Sequence, residues 1–162
     1  MKEKIAIIFI GIQASGKTTF YRNNFKLFVH INLDELHTRN KENILLTECV
    51  ENGTSFVVDN TNPTKADREK YMLAAKGHGY TIKGYYFRSS ISESVERNSY
   101  REGKARVPDR AIAATHNKLE LPEYGEGFDE LYYVHMENGA FHVQEWDENK
   151  MEVTNYKQSS GF

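Results

Sequence analysis

Cysteine is almost missing from this 162-residue chain: Cys49 stands alone, so no internal disulfide can form, as expected of a reducing compartment. Its expected place is a small, buried, apolar position on a helix. No apolar run approaches the roughly 18 residues that a membrane-spanning helix needs. The opening Met-Lys-Glu-Lys is followed by six apolar residues and then Gly11, too short for the core of a signal peptide. A soluble, cytoplasmic protein with no membrane partner is expected. Net positive charge is missing too: 21 Lys/Arg face 23 Asp/Glu, which argues against nonspecific coating of nucleic acid. Internal repeats, low-complexity stretches and a dividing linker are also absent. The length suits one domain with a real core, and 39% hydrophobic with 12% aromatic residues excludes a disordered chain.

Charge is unevenly spread. Residues 1–119 hold 19 Lys/Arg against 13 Asp/Glu, whereas residues 120–152 hold 1 against 10. A phosphate-handling face beside an unrelated, solvated acidic face would give this pattern.

Ile5-Ala-Ile-Ile-Phe-Ile10 is an unbroken apolar run, the pattern of a strand buried on both faces. A helix is expected over 17–24, a strand at Phe28–Ile31, and a helix from Asp34 to Glu51 closed by Asn52-Gly53. Ser55–Val58 reads as a strand. Residues 64–78 read as an amphipathic helix, with Tyr71, Ala74, Ala75 and His78 on one face. A strand over Tyr80–Phe87, a helix over Ile91–Arg101 and a helix opened by Pro108 follow. A fifth strand is expected at Leu131–Val134, and Asn138-Gly139 reads as a hairpin turn between 132–137 and 141–146. Alternating strands and helices predict an α/β fold: a central, mainly parallel five-stranded sheet with helices on both faces, plus a small C-terminal β-hairpin. Ligands bind at the carboxyl ends of such strands, where Gly11, Asn32–Asp34, Asp59 and Arg88 fall.

Gly11-Ile-Gln-Ala-Ser-Gly-Lys17-Thr18 matches the phosphate-binding loop G-x-x-x-x-G-K-[ST] without a mismatch. Gly11, Ala14, Ser15, Gly16, Lys17, Thr18 and Thr19 are its candidate nucleotide-binding residues. The glycines let successive backbone N–H groups point at phosphate oxygens. Lys17 would reach the outer phosphates of ATP, and Thr18 would bind Mg²⁺. A GTPase is disfavoured: Asn117-Lys-Leu-Glu120 lies inside a helix, and the Asp59 segment lacks a following glycine.

Three further groups suggest transfer of phosphate to a hydroxyl. Asp34 follows the second strand, where it would either accept a hydrogen bond from an incoming hydroxyl or cap the next helix. Asp59 ends the third strand, as an acid holding Mg²⁺ through water or bonding Thr18 would, or else as an Asx-turn into Asn60-Thr-Asn-Pro63. Arg97, Arg101, Lys104, Arg106 and Arg110 surround Gly103, as in a mobile basic lid. Arg97 and Arg101, one turn apart, are candidate phosphate clamps. Lys104 and Arg110 read as solvated charges. His30 and His135 read as structural strand residues, His116 and His142 lack a metal-ligand partner at useful spacing, and Trp146 reads as a cover for the last sheet edge.

Together these residues resemble the kinase domain of the polynucleotide 5′-hydroxyl kinases, a P-loop kinase family with an adenylate-kinase-like fold. The likeness covers roughly residues 4–135. It rests on the phosphate loop, His30-Ile-Asn-Leu-Asp34, Val58-Asp-Asn-Thr-Asn-Pro63 with Arg68 and Tyr71, Arg97-Asn-Ser-Tyr-Arg101, and Val107-Pro108. The resemblance implies a kinase domain over 1–146, a lid at about 97–108, and a flexible tail over 147–162. It implies Asp34 as general base, with Lys17 and Arg101 acting on the phosphates of ATP. His37, Arg39, Asn60, Thr61, Asn62 and Arg68 are the candidate acceptor contacts. The implied acceptor is the 5′-OH of DNA or RNA, with a small-molecule acceptor or a nucleotide-gated binding module as alternatives; the assembly is a monomer or homo-oligomer. The sequence departs from the family at Leu33 and His37, where arginines are usual, and at Gln13-Ala14, where Pro-Gly is common. No Asp-x-Asp-Gly-Thr phosphatase motif appears.

Overall fold

The computed structural model describes residues 2–149; of the expected 147–162 tail, residues 150–162 lie outside the described residues. Strands β1 (Ile5–Ile10), β2 (Val29–Ile31), β3 (Phe56–Val58), β4 (Thr81–Phe87), β5 (Glu130–Glu137) and β6 (Ala140–Glu145) form one sheet in the order β2-β3-β1-β4-β5-β6. The first five run parallel, and β6 pairs antiparallel with β5. The expected hairpin thus extends the main sheet as a sixth strand. Asn138 and Gly139 both have positive φ (52° and 77°), as a tight turn matched to strand twist requires.

Both faces of β1 are covered, which explains its unbroken apolar run. Ile7 and Phe9 pack against Phe20 and Tyr21 of α1 (Lys17–Asn24). Ala6, Ile8 and Ile10 join Leu46 and Cys49 of α3 (Arg39–Asn52), Tyr71 and Met72 of α4 (Lys65–Lys76), and Ile112 of α6 (Asp109–Lys118). Cys49 is buried as expected, 3% exposed. On α4 the buried face is Arg68, Tyr71, Met72 and Ala75, while His78 is exposed beyond the helix end. Trp146 packs edge-on against Tyr86 (5.3 Å) and is 5% exposed, so it covers the sheet. β4 needs glycine at Gly84, because a Cβ there would lie 2.6 Å from Leu131 and 2.7 Å from the Phe128 ring.

The expected helix from Asp34 to Glu51 is two helices, α2 (Leu33–Leu36) and α3. Two caps compete with continuity. The Asn32 side chain accepts from the Glu35 N–H, and the Thr38 side chain accepts from the Lys41 N–H, so a second helix starts at Arg39. His37 between them takes the left-handed conformation (φ 71°). The expected helix over Ile91–Arg101 stops at Ser99 as α5 (Ile91–Ser99).

The acidic C-terminal stretch is not wholly an unrelated solvated face. Glu120 accepts from the Lys65 N–H at the start of α4 (3.2 Å), Glu123 pairs with Lys65 (2.9 Å), and Glu126 pairs with Arg68. Part of the acidic excess is therefore the counter-charge of α4.

Candidate active site at the sheet's carboxyl edge

The chain leaves β1 toward β2 and leaves β3 toward β4, so the strand order reverses at β1/β3. A crevice forms outside the carboxyl ends of such strands. Here it is a cleft of about 360 Å³ bordered by the phosphate loop, the Asn32–Asp34 turn, the Asp59–Pro63 segment and the lid residues Arg101, Lys104, Ala105 and Val107. The two strand ends are stitched together: the Gly11 N–H donates to Thr61 O (3.0 Å), and the Asn62 side-chain amide donates to Phe9 O (2.8 Å).

The phosphate loop needs unusual backbone. Gly16 sits at φ 99° and Ala14 at φ 59°. A Cβ on Gly16 would also lie 3.0 Å from the Phe141 ring of β6, so the added strand presses on the loop. The Lys17 ammonium is buried and donates to Gly11 O (3.0 Å) and Ile12 O (2.7 Å). Burial outweighs the opposing charge of Asp59 and, with the Arg101 charge acting in the same direction against Asp34, holds its pKa down at about 8. All four side chains line the cleft.

Asp59 is 2% exposed. Its Oδ2 accepts from the Thr18 hydroxyl (2.7 Å) and contacts His30 Nε2 (2.8 Å). That arrangement favours the paired acid over an Asx-turn. Burial pushes its carboxyl up, but hydrogen bonding to His30 and the charge of Lys17 pull it down overall. Among the described residues no three His, Cys, Asp or Glu are grouped to hold a metal. A hydroxyl beside a carboxylate, next to a phosphate loop, nonetheless fits Mg²⁺, which keeps most of its ligands as water and phosphate oxygens.

Asp34 lines the cleft and is not the helix cap, since Asn32 fills that role. Its carboxylate is exposed at the second residue of α2. Asn60 holds this turn from below: its Oδ1 accepts from the Leu33 N–H (3.0 Å), while its amide donates to Glu42 (2.8 Å). Glu42, fully buried, also binds Arg39 (2.9 Å) and Lys70. Arg39 reaches the cleft from this cluster.

Several expected site residues lie elsewhere. Thr19 and His37 are exposed and do not border the cleft. Arg97 does not border it either and donates to Ala14 O of the phosphate loop (3.3 Å). Arg68, expected at the acceptor, is fully buried; it makes a two-pronged pair with Glu126 (2.8 and 3.0 Å) and donates to Asn62 O (2.9 Å). Its work is to hold the Asn62 turn, at φ 43°, against the core. Arg68→Ala should lower stability by about 3–5 kcal/mol, because it empties a fully buried site and leaves the half-buried Glu126 carboxylate without its cation. Thermal melting checks this, and an Arg68→Met/Glu126→Leu double variant should recover most of the loss.

Four contributors were not assigned from the sequence. His30 bridges Asp59 and Glu35 (3.0 Å) and stacks on Tyr21 (3.9 Å); nothing in a strand histidine's spacing signals that. Glu42 looks like an ordinary helix acid. Gln13 borders the cleft and donates to Thr115 (2.9 Å), and Lys118 borders it from the end of α6. The lid, expected to be mobile, has a pinned base. The fully buried Asn98 donates to Val107 O (2.6 Å) and accepts from Val107 N–H (3.0 Å).

Comparison with known proteins follows this geometry. A protein of Acanthamoeba polyphaga mimivirus, provisionally named a bifunctional polynucleotide phosphatase/kinase, is 29% identical over 170 residues, covering 96% of this chain and 39% of its own. The bifunctional polynucleotide phosphatase/kinase of Schizosaccharomyces pombe is 25% identical, covering 79% of this chain and 33% of its own. The L-seryl-tRNA(Sec) kinase of Methanococcus maripaludis is 25% identical, covering 72% of this chain and 52% of its own. The chain thus spans between a third and about half of these relatives' lengths. A gluconokinase structure from Sinorhizobium meliloti shares the fold, with a TM-score of 0.57 at 20% identity over 83% of this chain and 84% of that one. Residues 7–122, from β1 past the lid to four residues beyond α6, match the family described as an AAA domain, and with its intact phosphate loop on a P-loop kinase fold the chain belongs to that family.

Proposed function

We propose that this domain is an ATP- and Mg²⁺-dependent kinase that phosphorylates the 5′-OH of a polynucleotide. One observation carries the reading: Asp34, released from capping by Asn32, opens onto the same cleft as Lys17, the Thr18–Asp59 pair and Arg101. Lys17 and the loop backbone bind the outer phosphates of ATP. Thr18 and Asp59 would hold Mg²⁺, which would supply neutralising charge to those phosphates. The acceptor hydroxyl donates its hydrogen bond to Asp34 and attacks the γ-phosphorus. The new O–P bond forms as the bond from the β–γ bridging oxygen breaks. Asp34 takes the proton late, ADP departs with the bridging oxygen, and the product is a phosphomonoester. Arg101 and Lys104 of the lid balance charge on the moving phosphoryl group.

Arg39 and Lys118 line the cleft as well, and cations beyond the reacting centre suit an acceptor that carries backbone phosphates. The names of the mimivirus and yeast relatives agree with this acceptor. A small-molecule acceptor is the second reading, favoured by Leu33 and by His37 standing outside the cleft.

The test offers 5′-OH DNA and RNA oligonucleotides beside a nucleoside and sugar panel, with γ-labelled ATP and Mg²⁺. Label should appear on the oligonucleotide 5′ end. The oligonucleotide KM should climb with salt, with a log–log slope of about 1–2 if Arg39 and Lys118 meet backbone phosphates. Label on a small molecule alone, at a salt-insensitive KM, would replace the polynucleotide with the second acceptor.

A further inference from the structure

The lid has a pinned base: Asn98, near the end of α5, bonds Val107, just before α6, through both its amide and its carbonyl oxygen (2.6 and 3.0 Å). Any shift of α5 or α6 therefore carries the base of the lid with it. Each of these touches the phosphate loop at one of two adjacent residues. From α5, Arg97 donates to Ala14 O (3.3 Å); from α6, the Thr115 hydroxyl accepts from the Gln13 amide (2.9 Å). The Thr115 hydroxyl spends its own proton on Ala111 O (3.0 Å), so toward Gln13 it can only accept. This fixes the carboxamide: Nε2 faces α6, and Oε1 faces the other way. Gln13 Oε1 is buried and has no hydrogen-bond partner. A buried acceptor without a donor is costly, and one that borders a cleft can be satisfied by a donor brought there in another arrangement. The lid residues that border the same cleft, Arg101 and Lys104, carry donors only.

We propose that Gln13 and Thr115 couple the phosphate loop to the lid, making Gln13 a positioning residue that reports loop occupancy to α6 and receives a lid cation on closure. The proposal rests on the reading of this loop as an ATP site. A loop rearranged by phosphates moves Gln13, Gln13 pulls on Thr115, and α6 shifts the pinned lid with it. Closure then gives Oε1 its donor, so filling the loop and closing the lid favour each other. A sequence with proline at this position has no side-chain donor for such a link. The coupling belongs to this chain's Gln13 and not to the motif in general.

Limited trypsin digestion reads this without an acceptor substrate, since Lys104 and Arg106 are exposed lid residues. The full-length chain is digested with and without a non-hydrolysable ATP analogue and Mg²⁺, and cleavage at those two sites is followed by mass spectrometry. Saturating analogue should slow lid cleavage about tenfold in the wild type and in Thr115→Ser, which keeps the acceptor oxygen. In Gln13→Met and Thr115→Val the slowing should fall below about twofold at saturation, and the double variant should be no worse than either single one. A fluorescent nucleotide confirms saturation, and a melting curve confirms folding. Equal protection in all variants, or protection lost only as far as affinity is lost, overturns the coupling. So does a wild type that binds nucleotide without lid protection, an outcome that leaves the kinase reading to the transfer assay. No nucleotide binding by the wild type would overturn both.

Discussion

Asp34→Asn lowers the rate of phosphoryl transfer by about 10²–10⁴-fold, the range lost with a general base, and leaves ATP affinity essentially unchanged. Asparagine keeps the size of the side chain but takes no proton. The expectation is this large because nothing else competes for the carboxylate's role. Asn32 already caps α2, so Asp34 is spared that duty, and its exposed carboxylate borders the cleft opposite Lys17. The loss should fall on the chemical step. Single-turnover transfer should slow in step with kcat, while a fluorescent ATP analogue binds as to the wild type. A variant that loses ATP affinity and transfer in equal proportion would instead make Asp34 part of the loop's support, and a rate within tenfold would remove it from the chemistry. Glu35, next along, serves as the control: it faces His30 at 3.0 Å, and Glu35→Gln should have a much smaller effect.

The sheet and the phosphate loop were legible because each has a local signature. Strands β1 and β3 carry the apolar runs that a parallel, doubly covered sheet demands, and the loop's glycines and Lys17-Thr18 sit at fixed spacing. Asn138-Gly139 marked its turn by the same kind of local chemistry. What escaped was settled by partners far along the chain. Arg68 looked like a cation available for an acceptor phosphate, yet its partner Glu126 lies 58 residues away and draws it into the core. His30 alternates like any strand residue, and only the packing of β2 beside β3 brings it to Asp59, 29 residues on. The split of the helix after Leu36 was local but was masked. Helix propensity runs through residues 34–51, and two capping side chains in series, Asn32 and Thr38, decide against it.

The hairpin posed a different difficulty. Its strands and turn were readable, but period-two alternation cannot say whether a hairpin stands apart or joins a neighbour. Joining matters for the site. Once β6 lies beside β5, Phe141 is edge-on to Phe20 (5.2 Å) and against Gly16, so a residue more than 120 positions from the phosphate loop becomes one of its walls.

Arg101→Ala should cost about 10³–10⁵ in kcat, the range for an arginine that balances charge on a transferring phosphoryl group. Its guanidinium is partly buried at the cleft, tethered to the lid by a bond to Ala105 O (3.3 Å). Its charge depresses the pKa of Lys17, so these two cations sit close enough to repel. Repulsion of that kind is relieved only when anionic oxygens lie between them, and it is relieved most as charge builds on the phosphoryl oxygens. The interaction is therefore stronger in the transition state than in the ground state, which puts the loss in kcat. Arg101→Lys should recover little of it, because an ammonium cannot bridge two oxygens in the plane of a guanidinium. Arg97→Ala should behave differently. Arg97 bonds the loop at Ala14 O without bordering the cleft, so its removal should weaken ATP binding and raise KM with a smaller fall in kcat. Steady-state and single-turnover kinetics on the two variants separate these roles. If Arg97→Ala proved the deeper kcat defect, the clamp would be the helix arginine and Arg101 a surface tether of the lid. The asymmetry follows from one turn of α5: it ends at Ser99, so Arg97 remains on the helix facing the loop while Arg101 passes into the lid and over the cleft.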